Sequence, residues 1–165
     1  MDDVDVISFN YTNLDYLLNH DCKIEPLYIH GTAKSENIIL GINESDNLKP
    51  GYGCMVKCYN KYYNSCNITG RLANADKVVI FGHSLGLTDY SYFKDFFNGL
   101  LDGKYNADVT IFTLNGVSKS NLCDEIKCMV KRELFKLMDK NLHFVFTEDL
   151  KDDELKAVVD RLNCR

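Results

Sequence analysis

The chain lacks any apolar run long enough to cross a bilayer, which requires about 20 residues, so no transmembrane helix is expected. It also lacks a basic stripe. The formal charge is −5 and the pI is near 5.3, which disfavours non-specific nucleic-acid binding, since that needs clustered Lys and Arg against phosphates. The one concentration of cations, Lys127, Lys131, Arg132, Lys136 and Lys140, is interleaved with Glu125, Glu133 and Asp139 and reads as a solvated, salt-paired helix face. The opening Met1-Asp2-Asp3-Val4 is acidic and lacks the cationic start of a secretory signal, so a cytoplasmic protein is expected. Internal repeats and low-complexity segments are absent as well.

Seven cysteines form no disulfide framework. Cys54, Cys58 and Cys66 come nearest to a metal knuckle, but a structural zinc site needs four ligands and no nearby His completes the set. Reduced thiols and no metal are therefore expected. With 165 residues, 45% of them hydrophobic and 26% charged, the chain has an ordinary globular composition. Residues 1–165 read as a single domain.

Strand and helix signals alternate along it. Val4–Phe9, Leu27–Ile29, Ile38–Leu40, Lys77–Phe81, Val109–Leu114 and His143–Phe146 are short apolar runs, most ending at a polar residue or glycine, as buried parallel strands do. Between them, helical spacing predicts helices over Asn13–His20, capped by Thr12, and over Tyr52–Tyr63, with its aromatics packed in a core. Arg71–Ala75 suggests a further helical turn. Thr88 is expected to cap a helix carrying Tyr90, Phe93, Phe96, Phe97, Leu100 and Leu101. Ser118 or Ser120 is expected to cap a long helix to Lys140, burying Leu122, Ile126, Met129, Val130, Phe135 and Leu137. An acidic first turn opens a last helix over Asp152–Leu162. The alternation predicts an α/β fold, a mostly parallel sheet with helices on both faces.

Ligands of such sheets bind beyond the carboxyl ends of the strands. Three chemically suggestive segments fall there: Asn10, His30-Gly31 and Gly82-His83-Ser84-Leu85-Gly86. The last has the Gly-x-Ser-x-Gly pattern of a serine-hydrolase elbow, with Ser84 as nucleophile and His143 as a triad partner. Against that, the helix start at Thr88 lies four residues beyond Ser84, and His143 opens a strand rather than sitting on a loop. The other reading uses all three segments. Asn10 offers an amide for ribose hydroxyls or a water, His30 a base near neutral pH, and Ser84 a hydroxyl in a glycine-flanked turn. Asp89 either binds ribose hydroxyls or stabilises the helix end. His83 is assigned no role, and Asn10 and His30 each also have a plain reading as loop-end hydrogen-bonding residues.

The ordered pieces Phe9-Asn10-Tyr11-Thr12-Asn13, Ile29-His30-Gly31, Ile39-Leu40-Gly41-Ile42 and Phe81–Asp89, followed by Tyr92-Phe93, resemble the AbiH bacteriophage abortive-infection family and, more distantly, sirtuin-like NAD hydrolases. The resemblance covers residues 4–100. It implies a Rossmann-like, partial sirtuin-like domain, with NAD as substrate or ligand and cleavage of the nicotinamide–ribose bond. It also implies Asn10 and His30 as the catalytic pair, with Thr12, Gly31, Gly82, Ser84 and Asp89 at the cofactor. In one respect the sequence departs from the family pattern: the Gly-rich strand-turn that cradles the pyrophosphate is missing ahead of Val4. A missing N-terminal segment or a second chain would then supply it, or dinucleotide binding is lost. A non-catalytic nucleotide-sensing module and a Ser84 esterase remain the alternatives, and the sequence does not specify an oligomeric state.

Overall fold

The computed structural model describes residues 4–13, 25–41, 51–52, 55–62, 68–130, 133–148, 150–151 and 153. They fall into two compact units, Met1–Cys66 and Asn67–Arg165. The expected helices over Asn13–His20 and Asp152–Leu162 lie almost wholly outside the described residues.

In the first unit, β1 (Ile7–Ser8) pairs in parallel with β2 (Leu27–Tyr28), Ile7 opposite Leu27 and Ser8 opposite Tyr28. Backbone bonds extend the pairing at both ends, from Leu27 N–H to Val6 O and from Ile29 N–H to Ser8 O. Two expectations fail here. Ile38–Leu40 forms no strand; it runs alongside β2's exit through one bond, Ile39 N–H to His30 O at 2.9 Å, and only Ile39 of the three is buried. Of the helix over Tyr52–Tyr63, the described residues form only a 3₁₀ turn at Lys57–Tyr59. Val56 is extended there, and the Met55 carbonyl lies so close to Gly41 that a Cβ on Gly41 would sit 2.2 Å from it. That close backbone approach replaces helical packing. Tyr52, Tyr59 and Tyr62 are exposed, not core, and Val56 is the apolar residue buried instead.

The second unit is a three-stranded parallel sheet in the order β3 (Lys77–Phe81), β4 (Asp108–Thr113), β5 (Leu142–Phe146). Its register sets Val78, Val109 and Leu142 side by side, then Ile80, Ile111 and Phe144. Of these, all but the half-buried Phe144 are buried. Both crossovers step the same way along the sheet, and right-handed connections then put their helices on one face. The side chains agree: Lys119 lies over the rings of Phe144 and Phe146, which share the face of Ile111. The crossover helices are α2 (Tyr90–Leu101), α3 (Gly116–Met129) and α4 (Leu134–Lys140), and α1 (Ile68–Ala73), which precedes β3, packs against α2. Phe96 and Phe97 of α2, with Ile126, Met129 and Leu137, are fully buried, each stabilising by about 1.5–3 kcal/mol. On the opposite face β3 turns Val79 and Phe81 to solvent.

The long helix to Lys140 is in fact two. Its cap is Asn115, whose Oδ1 accepts the Ser118 N–H at 3.1 Å, so the helix begins before either serine. It stops at Met129 and restarts at Leu134, which rotates the apolar stripe and leaves Phe135 74% exposed. At α2 the cap position belongs to Asp89 rather than Thr88, and its carboxylate makes no capping bond.

Candidate functional site

Each unit carries part of the expected site. In the first, Asn10 follows the carboxyl end of β1 and is exposed. Its Oδ1 accepts the Thr12 N–H at 3.1 Å, a local turn that Asn side chains favour. Its backbone N–H donates to Ser8 Oγ at 3.2 Å. Thr12 is exposed in the same loop.

His30 leaves β2 and is only 5% exposed. The two residues flanking Asn10 lie against its imidazole. Phe9 meets the ring edge-on with centroids 5.6 Å apart, and Tyr11 lies at 6.1 Å. The loop that presents Asn10 to solvent therefore roofs His30. A further bond, Ala33 N–H to Tyr11 O at 3.0 Å, ties the two loops together. Gly31 turns the chain at φ +71, where a Cβ would meet the Asn37 carbonyl at 2.2 Å. Asn37 also holds the turn from the other side, its Oδ1 accepting the Thr32 N–H at 2.9 Å.

In the second unit the loop Gly82–Asp89 leaves β3. Gly82 has φ +63 with open space where a Cβ would stand, and Ser84 is exposed. Ser84 Oγ accepts the Gly86 N–H at 3.4 Å. Leu85 is unusual. It is a leucine at φ +54, a left-handed conformation costing about 1–2 kcal/mol, and its side chain is completely buried. Burial worth about 1.5–3 kcal/mol offsets that strain. Its N–H donates to His83 Nδ1 at 2.8 Å, while His83 Nε2 lies 3.5 Å from Asp89 Oδ2. The same imidazole packs on Phe93 of α2 at 5.2 Å. Thus His83, a residue with no expected role, links the turn to the helix. The sequence offers only a partial signal, an imidazole between glycines with a carboxylate six residues later at a helix start.

The esterase geometry does not assemble. His143 pairs with Thr110, which pairs with Val79, so it lies two strands from β3, about 10 Å across. It also sits back from the sheet's carboxyl edge. His83 Nδ1 is occupied as an acceptor of the Leu85 N–H, and among the described residues no imidazole is bonded to Ser84 Oγ. Nor, among those residues, is there a group of three or more His, Cys, Asp and Glu side chains placed to hold a metal ion, or a helix long and apolar enough to cross a membrane.

A family model described as bacteriophage abortive infection AbiH matches residues 1–112, more than half of the chain. The chain belongs to the AbiH family. That membership suggests a role in anti-phage abortive infection. The AbiH match contains Asn10, His30 and the whole Gly82–Asp89 loop, and ends within β4 at Phe112. No curated protein and no solved structure matches.

Proposed function

We propose that this AbiH protein acts in phage defence by binding NAD and cleaving its nicotinamide–ribose bond. The observation that carries the reading is the position of the family-matched segments. Asn10, His30-Gly31 and Gly82–Asp89 all leave carboxyl ends of parallel strands, where α/β sheets bind ligands. In this reaction the bond between C1′ and the pyridine nitrogen breaks, its electron pair leaves with nicotinamide, and positive charge develops on the ribose. Water adds at C1′ and loses a proton. Asn10, exposed with its Oδ1 fixed on Thr12, orients the ribose or that water through its amide N–H donors. His30 takes the proton. In the second unit Gly82 and Ser84 are the residues offered to a phosphate or ribose, and in the first unit Thr12 and Gly31 are those offered to the nucleotide.

One observation favours a second reading, a module that senses nucleotide without turning it over. His30 is roofed by Phe9 and Tyr11, and a base must reach its proton within hydrogen-bond distance. The two readings separate in one pair of assays on the full chain. Loss of NAD that falls by about 100-fold or more in Asn10→Ala and in His30→Ala supports cleavage, in line with the usual contribution of a general base. Equal loss in wild type and both variants removes the assignment. A raised melting midpoint with NAD but no turnover identifies the sensing module, because a ligand bound only to the folded form stabilises it.

A further inference from the structure

We infer that His83 is the positioning residue of the Gly82–Asp89 loop, and that Asp89 acts on His83 rather than on the nucleotide. The inference deepens the nucleotide-binding reading above and rests on it for its ligand, the ADP-ribose part of NAD. Three contacts converge on one imidazole. Nδ1 accepts the Leu85 N–H at 2.8 Å, Nε2 stands 3.5 Å from Asp89 Oδ2, and the ring face packs on Phe93. The first contact requires Nδ1 to carry no proton, so the neutral ring holds its hydrogen on Nε2, toward the carboxylate. Asp89 thereby selects the tautomer that can accept from Leu85. Leu85 needs that acceptor because it holds a left-handed conformation with its side chain fully buried. With Leu85 fixed, Ser84 is turned outward, exposed, with its Oγ against Gly86 N–H.

The Asp89 carboxylate is only 13% exposed and is turned toward His83. It makes no side-chain capping bond at the amino end of α2, the usual occupation of an aspartate at that position. This accounts for an Asp in the family-matched segment without a ribose contact. It also gives the histidine between the glycines a function in shaping the loop.

The test measures ADP-ribose affinity of the full chain by calorimetry. The variants are His83→Ala, His83→Asn, Asp89→Ala and the double variant His83→Ala with Asp89→Ala. An asparagine Oδ1 occupies roughly the place of Nδ1 and restores the acceptor, with nothing at Nε2. Expected are a loss of about tenfold in His83→Ala, equivalent to about one charge-free hydrogen bond, and recovery to within about threefold of wild type in His83→Asn. Asp89→Ala weakens binding in the wild-type background but not further once His83 is alanine. An Asp89→Ala effect that is undiminished in the His83→Ala background places Asp89 on the ligand and overturns the inference. Failure of His83→Asn to recover affinity, with its melting midpoint at the wild-type value, overturns it as well. If wild-type protein does not bind ADP-ribose, the nucleotide reading fails. The positioning role then stands or falls on Leu85 amide exchange, slow in wild type and His83→Asn and faster in His83→Ala.

Discussion

Replacing Gly31 by alanine tests how tightly the exit of β2 is built. Two costs add. Alanine at φ +71 occupies the left-handed region, at about 1–2 kcal/mol. The added Cβ would also sit 2.2 Å from the Asn37 carbonyl oxygen and 2.7 Å from its Oδ1, so Asn37 must move. That Oδ1 accepts the N–H of Thr32, a buried residue, at 2.9 Å. Leaving a buried donor unpaired costs about 1–3 kcal/mol. The sum is roughly 2–5 kcal/mol, a large share of the 5–15 kcal/mol that holds a typical domain. Gly103→Ala is the matched control, because Gly103 has nearly the same φ, +70, but nothing within 4 Å of the added atom. It carries the strain alone, about 1–2 kcal/mol. The chain has no tryptophan, so urea unfolding is followed by far-UV circular dichroism. Amide exchange at Thr32 gives the local readout. Gly31→Ala costing no more than Gly103→Ala, with Thr32 still protected, would refute the reasoning.

Three further outcomes are expected. Among the described residues Thr113 Oγ1 is buried without a hydrogen-bond partner, so Thr113→Val, which keeps the shape and removes the hydroxyl, raises stability by about 1 kcal/mol in thermal melts; a loss of that size means the hydroxyl has a role. In Gly99→Ala the new methyl would meet the Tyr105 ring at 2.1 Å and disturb its stacking on Phe96; the overpacking cost of about 1–3 kcal/mol exceeds alanine's helix-propensity gain of about 1 kcal/mol, and a melt at or above the wild-type midpoint contradicts this. Burial raises the Cys123 thiol above its ordinary value against the opposing pull of Lys119 and Lys127, so iodoacetamide labels the exposed Cys128 before Cys123 at pH 8. The sign for stability follows: the unfolded chain loses that thiol proton first, so Cys123's share of stability declines as pH rises through the ordinary thiol range, and Cys123→Ser flattens that decline in urea titrations.

How much of this was legible depended on whether the deciding interaction was local. Lys77–Phe81 is legible to the residue because Asp76 and Gly82 bracket five strand-forming positions, while β4 lies one residue earlier than expected and β5 begins one residue earlier with the same end. Ile38–Leu40 has the same apolar character, but strand formation needs a partner ladder, and this segment reaches β2's exit through a single bond. The spacing of Met55, Val56, Tyr59 and Tyr62 suggested a buried helix face, yet the backbone there is drawn against Gly41 and most of that apolar set faces solvent. The break between α3 and α4 left no proline or glycine signal, and it altered which residues are buried. At the candidate site, residue types marked loops that leave the carboxyl ends of strands, but the part inferred for His83 depends on Leu85 adopting a positive φ, which no residue type announces.

The extent of the family match and the extent of the fold differ in a way that bears on how the site is held. The match ends at Phe112, inside β4, so the matched part carries β3 and the loop after it while α3, α4 and β5 lie beyond. Yet β4 is the central strand of its sheet. Thr110, Phe112 and their neighbours pair with β5 on one side as they pair with β3 on the other, and Val109 and Ile111 are completely buried. A sheet of two strands is marginal alone, and a third strand with a covered apolar face is what makes it stable. On the helical side, Tyr90 Oη donates to the Cys128 carbonyl and Asn98 Nδ2 to that of Met129, so α2, whose first turn carries Phe93 beneath His83, is braced by the end of α3. The residues that shape the Gly82–Asp89 loop therefore lie within the matched segment, whereas those that keep its strand and helix in place extend through β5. Substitutions after Phe112 that loosen α3 or β5 are thus felt at the loop without touching it.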